Sequence, residues 1–191
     1  MFNLFKPETT ALVLIELQRS NLARRLAPHA SHDVVANSAK LANALRPRGA
    51  TVVFVRALVA DLLQLSPYEP LPMVAKSPLD ATDLAAELPR EPGDLVIAKR
   101  QWGAFVGTDL DQHLRHRGIR TIVLGGIATN FGVESTARAA FDRGYDLVFA
   151  EDATSSISAE AHYFSFRNIF VRIGRVTSVA QIIEYLQHGQ A

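Results

Sequence analysis

The sequence predicts an α/β protein, a Rossmann-like three-layer sandwich built on a six-stranded parallel sheet of order 3-2-1-4-5-6. Three observations lead there. Short apolar runs at 9–17, 51–55, 94–98, 122–127, 146–150 and 175–177 have the length and composition of strands. Stretches with helical apolar spacing separate most of them, and this alternation implies parallel strands joined by right-handed crossovers, with helices on both faces. The run at 9–17 is apolar almost throughout, as expected of a central strand buried on both faces.

The elements follow in order. Residues 9–17 form the first strand, and Glu16 is its odd member. From Asp33 to Leu45, the positions Val34, Val35, Ser38, Leu41, Ala42 and Leu45 keep helical spacing, and Pro47 with Gly49 stops the helix. A second strand spans 51–55. Residues 58–93 are rich in Pro and Leu, with one short helix expected near 82–88; so long a connection is expected to act as a lid or an oligomer contact. The third strand, 94–98, ends just before Lys99, and a helix covers 109–117.

The stretch TIVLGGIATNFGVESTAR, from Thr121 to Arg138, is a buried strand running into a helix. Thr129 and Asn130 offer cap-type side chains, and Val133, Ala137, Ala140 and Phe141 fall on one helical face. Glu134 and Arg138 are four apart, where they can pair. The first backbone N–H groups of this helix, around Gly132, are expected to favour an anion or a developing oxyanion. A fifth strand at 146–150, a helix at 158–170, a short sixth strand at 175–177 and a helix at 179–186 complete the pattern.

With this strand order the topological switch point falls between strands one and four, where ligands bind beyond the carboxyl ends. Glu16 and Gly132 sit at those two ends, and Lys99 reaches toward the same crevice from strand three. A carboxylate ending an apolar strand needs a partner. Glu16 and Lys99 are therefore either a plain ion pair plugging the sheet or a pair lining a pocket, with the carboxyl group exchanging protons and the lysine stabilising negative charge on substrate. Gln18 is either a substrate-orienting or a surface side chain. Trp102 and Phe105 form either an aromatic wall or core packing.

The run GGIATNFGVESTARAAFDRGYDLVFAEDATSS resembles the isochorismatase-like hydrolases, which include isochorismatases, nicotinamidases and N-carbamoylsarcosine amidases. ALVLIELQ near the start and VIAKRQWGAFVGTDLDQHLRHRGI in the middle extend the resemblance over nearly the whole chain. In many of these enzymes an Asp after the first strand, a Lys after the third and a Cys opening the helix after the fourth form the catalytic set. Here those positions hold Glu16, Lys99 and Gly132. The resemblance also implies a cis peptide between Ile127 and Ala128, turning the amides of Ala128, Thr129, Asn130, Phe131 and Gly132 toward the crevice as substrate-binding groups. The amidase branch attacks a carbonyl with its cysteine, a route that Gly132 closes. The isochorismatase branch protonates a vinyl ether instead, and its members can carry glycine at this position.

Composition narrows the rest. A length of 191 residues suits one domain, 1–191. With no cysteine, the chain has no disulfide, no thiolate metal site and no replacement thiol for position 132. Ser135 lacks a histidine placed to activate it. Net charge is +1 with no basic tract beyond pairs such as Arg24-Arg25, which argues against an electrostatic nucleic-acid surface, and a small-molecule substrate is expected. The first strand-to-helix turn reads ELQRSN and lacks G-x-G-x-x-G, so no dinucleotide cofactor is expected. His29 and His32 lie three apart, but no carboxylate–His–His cluster follows strand two, where the nicotinamidases keep their ligands; no metal is expected. The apolar run Ala11–Ile15 is too short for a signal core or membrane span. The expectation is a cytoplasmic homo-oligomer without a cofactor.

Overall fold

The computed structural model describes residues 5–61 and 80–188. Its sheet contains β1 (Thr10–Ile15), β2 (Thr51–Ala57), β3 (Leu95–Lys99), β4 (Thr121–Ile127), β5 (Asp146–Ser155) and β6 (Arg175–Thr177). They run in the order β3-β2-β1-β4-β5-β6, and every pairing is parallel. Every residue of β1 and β4 is buried, as their continuous apolar character requires of strands covered on both faces.

The helical elements are α1 (Arg19–Leu22), α2 (Ser31–Leu45), α3 (Leu110–His116), α4 (Glu134–Asp142), α5 (Ala159–Phe164), α6 (Val171–Ile173) and α7 (Val179–His188). α2 buries Val34, Val35, Ser38, Leu41, Ala42 and Leu45, the stripe its spacing marks out. It packs with α7 against Leu12, Leu14, Phe54, Val123 and Val148 on one face of the sheet. On the other face, α3, α4 and the segment through Phe166 and Phe170 cover Val13, Ile15, Val55, Ile97, Leu124 and Phe149. These two cores make the sandwich.

Three local expectations are corrected. Residues 82–88 are not helical: Leu84 forms an isolated bridge with Gln18, and Ala85 N donates to Leu17 O at 2.9 Å. The exit of β1 gives this segment backbone partners, so it extends instead of coiling. The remainder of the long connection, 62–79, lies outside the described residues. Phe141 is half exposed, so the buried stripe of α4 is Thr136, Ala137 and Ala140, with Val133 before it. The helix expected at 158–170 is present: α5, a π-helical stretch at Ser165–Phe170 and α6 follow one another without a break.

The third is β5, which continues five residues past Ala150, through the polar pair Glu151 and Asp152. A register shift between Leu124 and Gly126 makes room for this, and pairing resumes as Gly126↔Thr154 and Ile127↔Ser155. Gly126 has φ 116°, and a Cβ there would lie 2.1 Å from Ile15 O. Only glycine lets β1 and β4 come together at this level.

Candidate active site

Three chain segments meet at the carboxyl edge of the sheet. β1 ends at Ile15 because Glu16 turns into the left-handed region at φ 49°, while its amide still donates to Val55 O at 2.7 Å. That turn leaves the Glu16 side chain over the end of the sheet, beside the segment that follows β4. Lys99 closes β3, paired in register with Ala57 of β2. Its side chain is 1% exposed.

The Lys99 ammonium has three donors, and all three are used: on Glu16 Oε1, on Gln101 O at 2.9 Å and on Trp102 O at 2.6 Å. The charge is thereby held rigidly under the carboxylate. The other Glu16 oxygen, Oε2, accepts from Asn21 Nδ2 at 2.9 Å, and the Glu16 side chain keeps 17% exposure. Asn21 sits on the single turn α1, and nothing in its sequence spacing pointed to the site.

Gly132 faces this pair. A Cβ built on it would stand 2.8 Å from Glu16 Oε1, 3.4 Å from Lys99 Nζ and 3.2 Å from Ile15 Cγ2. The first distance is too short for a real contact, so the Glu16 carboxylate occupies the space that a side chain at position 132 would need. Thr136, also unmarked in the sequence, accepts from Ala104 N at 3.0 Å and donates to Gly132 O at 2.7 Å. It ties the Lys99 loop to the turn bearing Gly132.

That turn, Thr129–Val133, is a wide one, with Val133 N donating to Ala128 O at 3.2 Å, and it leads directly into α4. The Ile127–Ala128 bond is cis. Thr129 and Asn130 do not cap the helix as expected. Thr129 Oγ1 instead lies 2.8 Å from His162 Nδ1, and Asn130 Oδ1 accepts from Ser156 Oγ at 2.6 Å, because extended β5 and α5 pass close enough to take them. Ala128 and Asn130 remain partly accessible, whereas Thr129 and Gly132 are buried.

Trp102, 53% exposed, meets Phe131 edge to face at 5.0 Å, and the two rings form a rim. Phe105 is apart from them: it is buried, stacked with Tyr145 at 6.0 Å and covered by Arg143. Gln18 is fully buried and turned away from the crevice. Its amide accepts from Ala57 N at 2.8 Å and donates to Ala57 O at 3.2 Å and to Ala81 O at 3.1 Å. It stitches the exit of β1 to the end of β2.

A second polar cluster lies behind the turn. Nε2 of His29 and Nε2 of His162 lie 3.0 and 2.9 Å from the same Glu151 Oε1. The hydrogen bond from His162 first, and then that from His29, outweigh burial and bring the Glu151 carboxyl down to about 2. His32, which the sequence sets beside His29, is exposed and pairs with Asp33 at 3.3 Å. The Glu134–Arg138 pair forms at 2.9 Å.

A parallel sheet that brings a first-strand carboxylate and a third-strand lysine against the helix after strand four defines an α/β fold of the isochorismatase hydrolase type. The chain belongs to the isochorismatase family: the Isochorismatase domain model matches residues 10–181. It is 45% identical to the isochorismatase family protein YecD of Escherichia coli O157:H7, over 94% of this chain and 97% of that one. It is 32% identical to the ureidoacrylate amidohydrolase RutB of Pantoea ananatis, over 94% of this chain and 83% of that one. The solved structure of an isochorismatase family protein from Burkholderia thailandensis is 41% identical, covers 94% of this chain and 96% of its own, and superposes with a TM-score of 0.89.

Proposed function

We propose that this protein is a small-molecule hydrolase that works without a cysteine nucleophile, with Glu16 as acid and base, Lys99 as its electrostatic partner and Gly132 as the residue whose missing side chain gives the carboxylate its place. The observation that carries this reading is the Glu16 carboxylate standing in the volume beside Gly132, fixed by Lys99 on one oxygen and Asn21 on the other. A carboxyl group so held needs no reorganisation to transfer a proton.

On a vinyl ether, Glu16 delivers its proton to the terminal carbon and converts the C=C–O unit to an oxocarbenium ion. Water then adds to the carbon bearing oxygen and returns a proton to Glu16. The resulting hemiketal breaks its C–O bond to give a carbonyl compound and an alcohol. On an amide of the kind the ureidoacrylate amidohydrolases are named for, Glu16 would act as general base on water, because no thiol is available. The Trp102–Phe131 rim and the partly open backbone at Ala128 and Asn130 are the substrate-facing groups in this reading, with Thr129 supporting them from behind. Gln18 and Phe105 support the scaffold.

A second reading, a ligand-binding member without turnover, has one observation in its favour. The three Lys99 donors are all committed inside the protein, so none is free to meet charge on a substrate. Incubation of vinyl ethers, small amides and ureido compounds in H₂¹⁸O, followed by mass spectrometry, separates the two. Incorporation of one ¹⁸O into a product supports hydrolysis; saturable binding with no labelled product supports the silent reading.

Homo-oligomeric assembly in the cytoplasm belongs to the same proposal. Exposed Phe141, Phe164 and Val171 on α4, α5 and α6 support association of copies, to be measured by light scattering. Among the described residues no helix is long and apolar enough to cross a membrane.

A further inference from the structure

We propose that His29, Glu151 and His162 bind a divalent transition-metal ion of the zinc class, in a site behind the turn that carries Gly132. The three side chains come from separate parts of the chain. His29 precedes α2, Glu151 lies in the bulged stretch of β5 between the pairs Leu124↔Phe149 and Gly126↔Thr154, and His162 is on α5. Each offers one ligand atom, and these atoms all lie within 4.8 Å of one another.

The chemistry of the set suits such an ion. Two imidazole nitrogens and one carboxylate oxygen leave at least one position open for water, and they favour zinc, cobalt or nickel over calcium or magnesium, which prefer all-oxygen shells. Bonds of about 2.0–2.1 Å in tetrahedral geometry space the ligand atoms roughly 3.3 Å apart. Both Nε2 atoms are 2.9–3.0 Å from Glu151 Oε1, a few tenths of an ångström inside that spacing, and all three ligand atoms lie within 4.8 Å of one another, so small side-chain movements bring them to bonding geometry.

The surroundings hold the ligands in place. His162 is fully buried, and its Nδ1 meets Thr129 Oγ1 at 2.8 Å, which orients the ring as an outer partner does at a metal centre. The backbone of His29 is clasped by Ser155: its N donates to Ser155 Oγ at 3.2 Å, and Ser155 Oγ donates to its O at 2.7 Å. Solvent reaches the cluster from one side, since the His29 and Glu151 side chains are 28% and 29% exposed. Through Thr129 the ion would brace the start of the turn at Thr129–Val133, a structural role separate from the proton chemistry of Glu16.

Calorimetric titration of the chelator-treated full chain with Zn²⁺, and absorption spectra with Co²⁺ as probe, test this. One Zn²⁺ should bind per chain, with a raised melting temperature, and Co²⁺ should give a visible d–d band of low coordination number. His29→Ala and Glu151→Gln should each weaken binding at least tenfold and remove the band, whereas His113→Ala, on the surface of α3, should change neither. Glu151→Gln keeps side-chain size and hydrogen bonding, so a folded protein is retained even if His29→Ala is not tolerated. Absence of stoichiometric binding in the unmodified protein, or binding unaffected by both variants, would mean that the three side chains form a hydrogen-bonded cluster only, and would overturn the proposal.

Discussion

Oε1 of Glu16 lies 2.8 Å from where a Cβ on Gly132 would stand. Glu16 and Gly132, which stand where the resemblance places an Asp and a Cys, are therefore sterically coupled. The extra methylene of glutamate carries its carboxylate into the space a thiol would fill, and glycine is what leaves that space empty.

This coupling predicts the behaviour of Gly132→Ala. The added methyl group must displace a carboxylate pinned by Lys99 and Asn21, at a cost of about 1–3 kcal/mol. Glu16→Asp in the same chain withdraws the carboxylate and should recover part of that loss. Urea denaturation of the two single variants and the double variant should give a coupling energy of about 1 kcal/mol or more. Strict additivity would mean that the two residues do not compete for space.

A thiol can be restored to the site by the same logic. In the double variant Glu16→Asp, Gly132→Cys, the introduced thiol sits at the start of the α4 segment beside Lys99. Both features favour thiolate. Alkylation by iodoacetamide should be faster than at an exposed control cysteine and should retain a plateau well below pH 8. Gly132→Cys alone should react less readily, because Glu16 crowds and opposes the developing charge. A thiol titrating near the unperturbed value of about 8.5 would show that the crevice has lost its electrostatic character.

Gln18 and Trp102 should separate scaffold from substrate contacts. Gln18→Leu leaves backbone groups of Ala57 and Ala81 without their partner and should destabilise the fold by about 2–3 kcal/mol. Trp102→Ala, at a half-exposed ring, should change the melting temperature little but weaken ligand binding. The reverse pattern, with Gln18 affecting KM and Trp102 affecting stability, would contradict the placement of both.

Much of this was legible in the chain. The alternation of apolar runs and helical stripes implied a parallel sheet with crossovers, and the expected order 3-2-1-4-5-6, which the sheet has, placed the switch point between strands one and four. Glu16 was conspicuous as an acid at the end of an apolar strand, and Lys99 followed from the end of strand three. What stayed hidden depends on contacts between distant segments. Asn21 is an ordinary polar residue until the left-handed turn at Glu16 brings it beneath the carboxylate. Glu151 and Asp152 looked like the end of a strand, because no local pattern records the register shift that carries β5 onward. For the same reason the partnership of His162 with His29 and Thr129 had no signal at short range. Residues 82–88 had helical composition, but the β1 exit offered them backbone pairing instead.

A catalytic role for Glu16 is tested most directly by the turnover ratio of the unmodified protein to Glu16→Gln on the best substrate found, with binding of that substrate by Glu16→Gln measured in parallel. The substitution keeps the side chain's size and one acceptor oxygen but removes the proton exchange and the charge facing Lys99. Turnover should fall about 10²-fold or more, with affinity largely retained. Turnover by Glu16→Gln within a few-fold of the unmodified rate would contradict a catalytic carboxylate at this position.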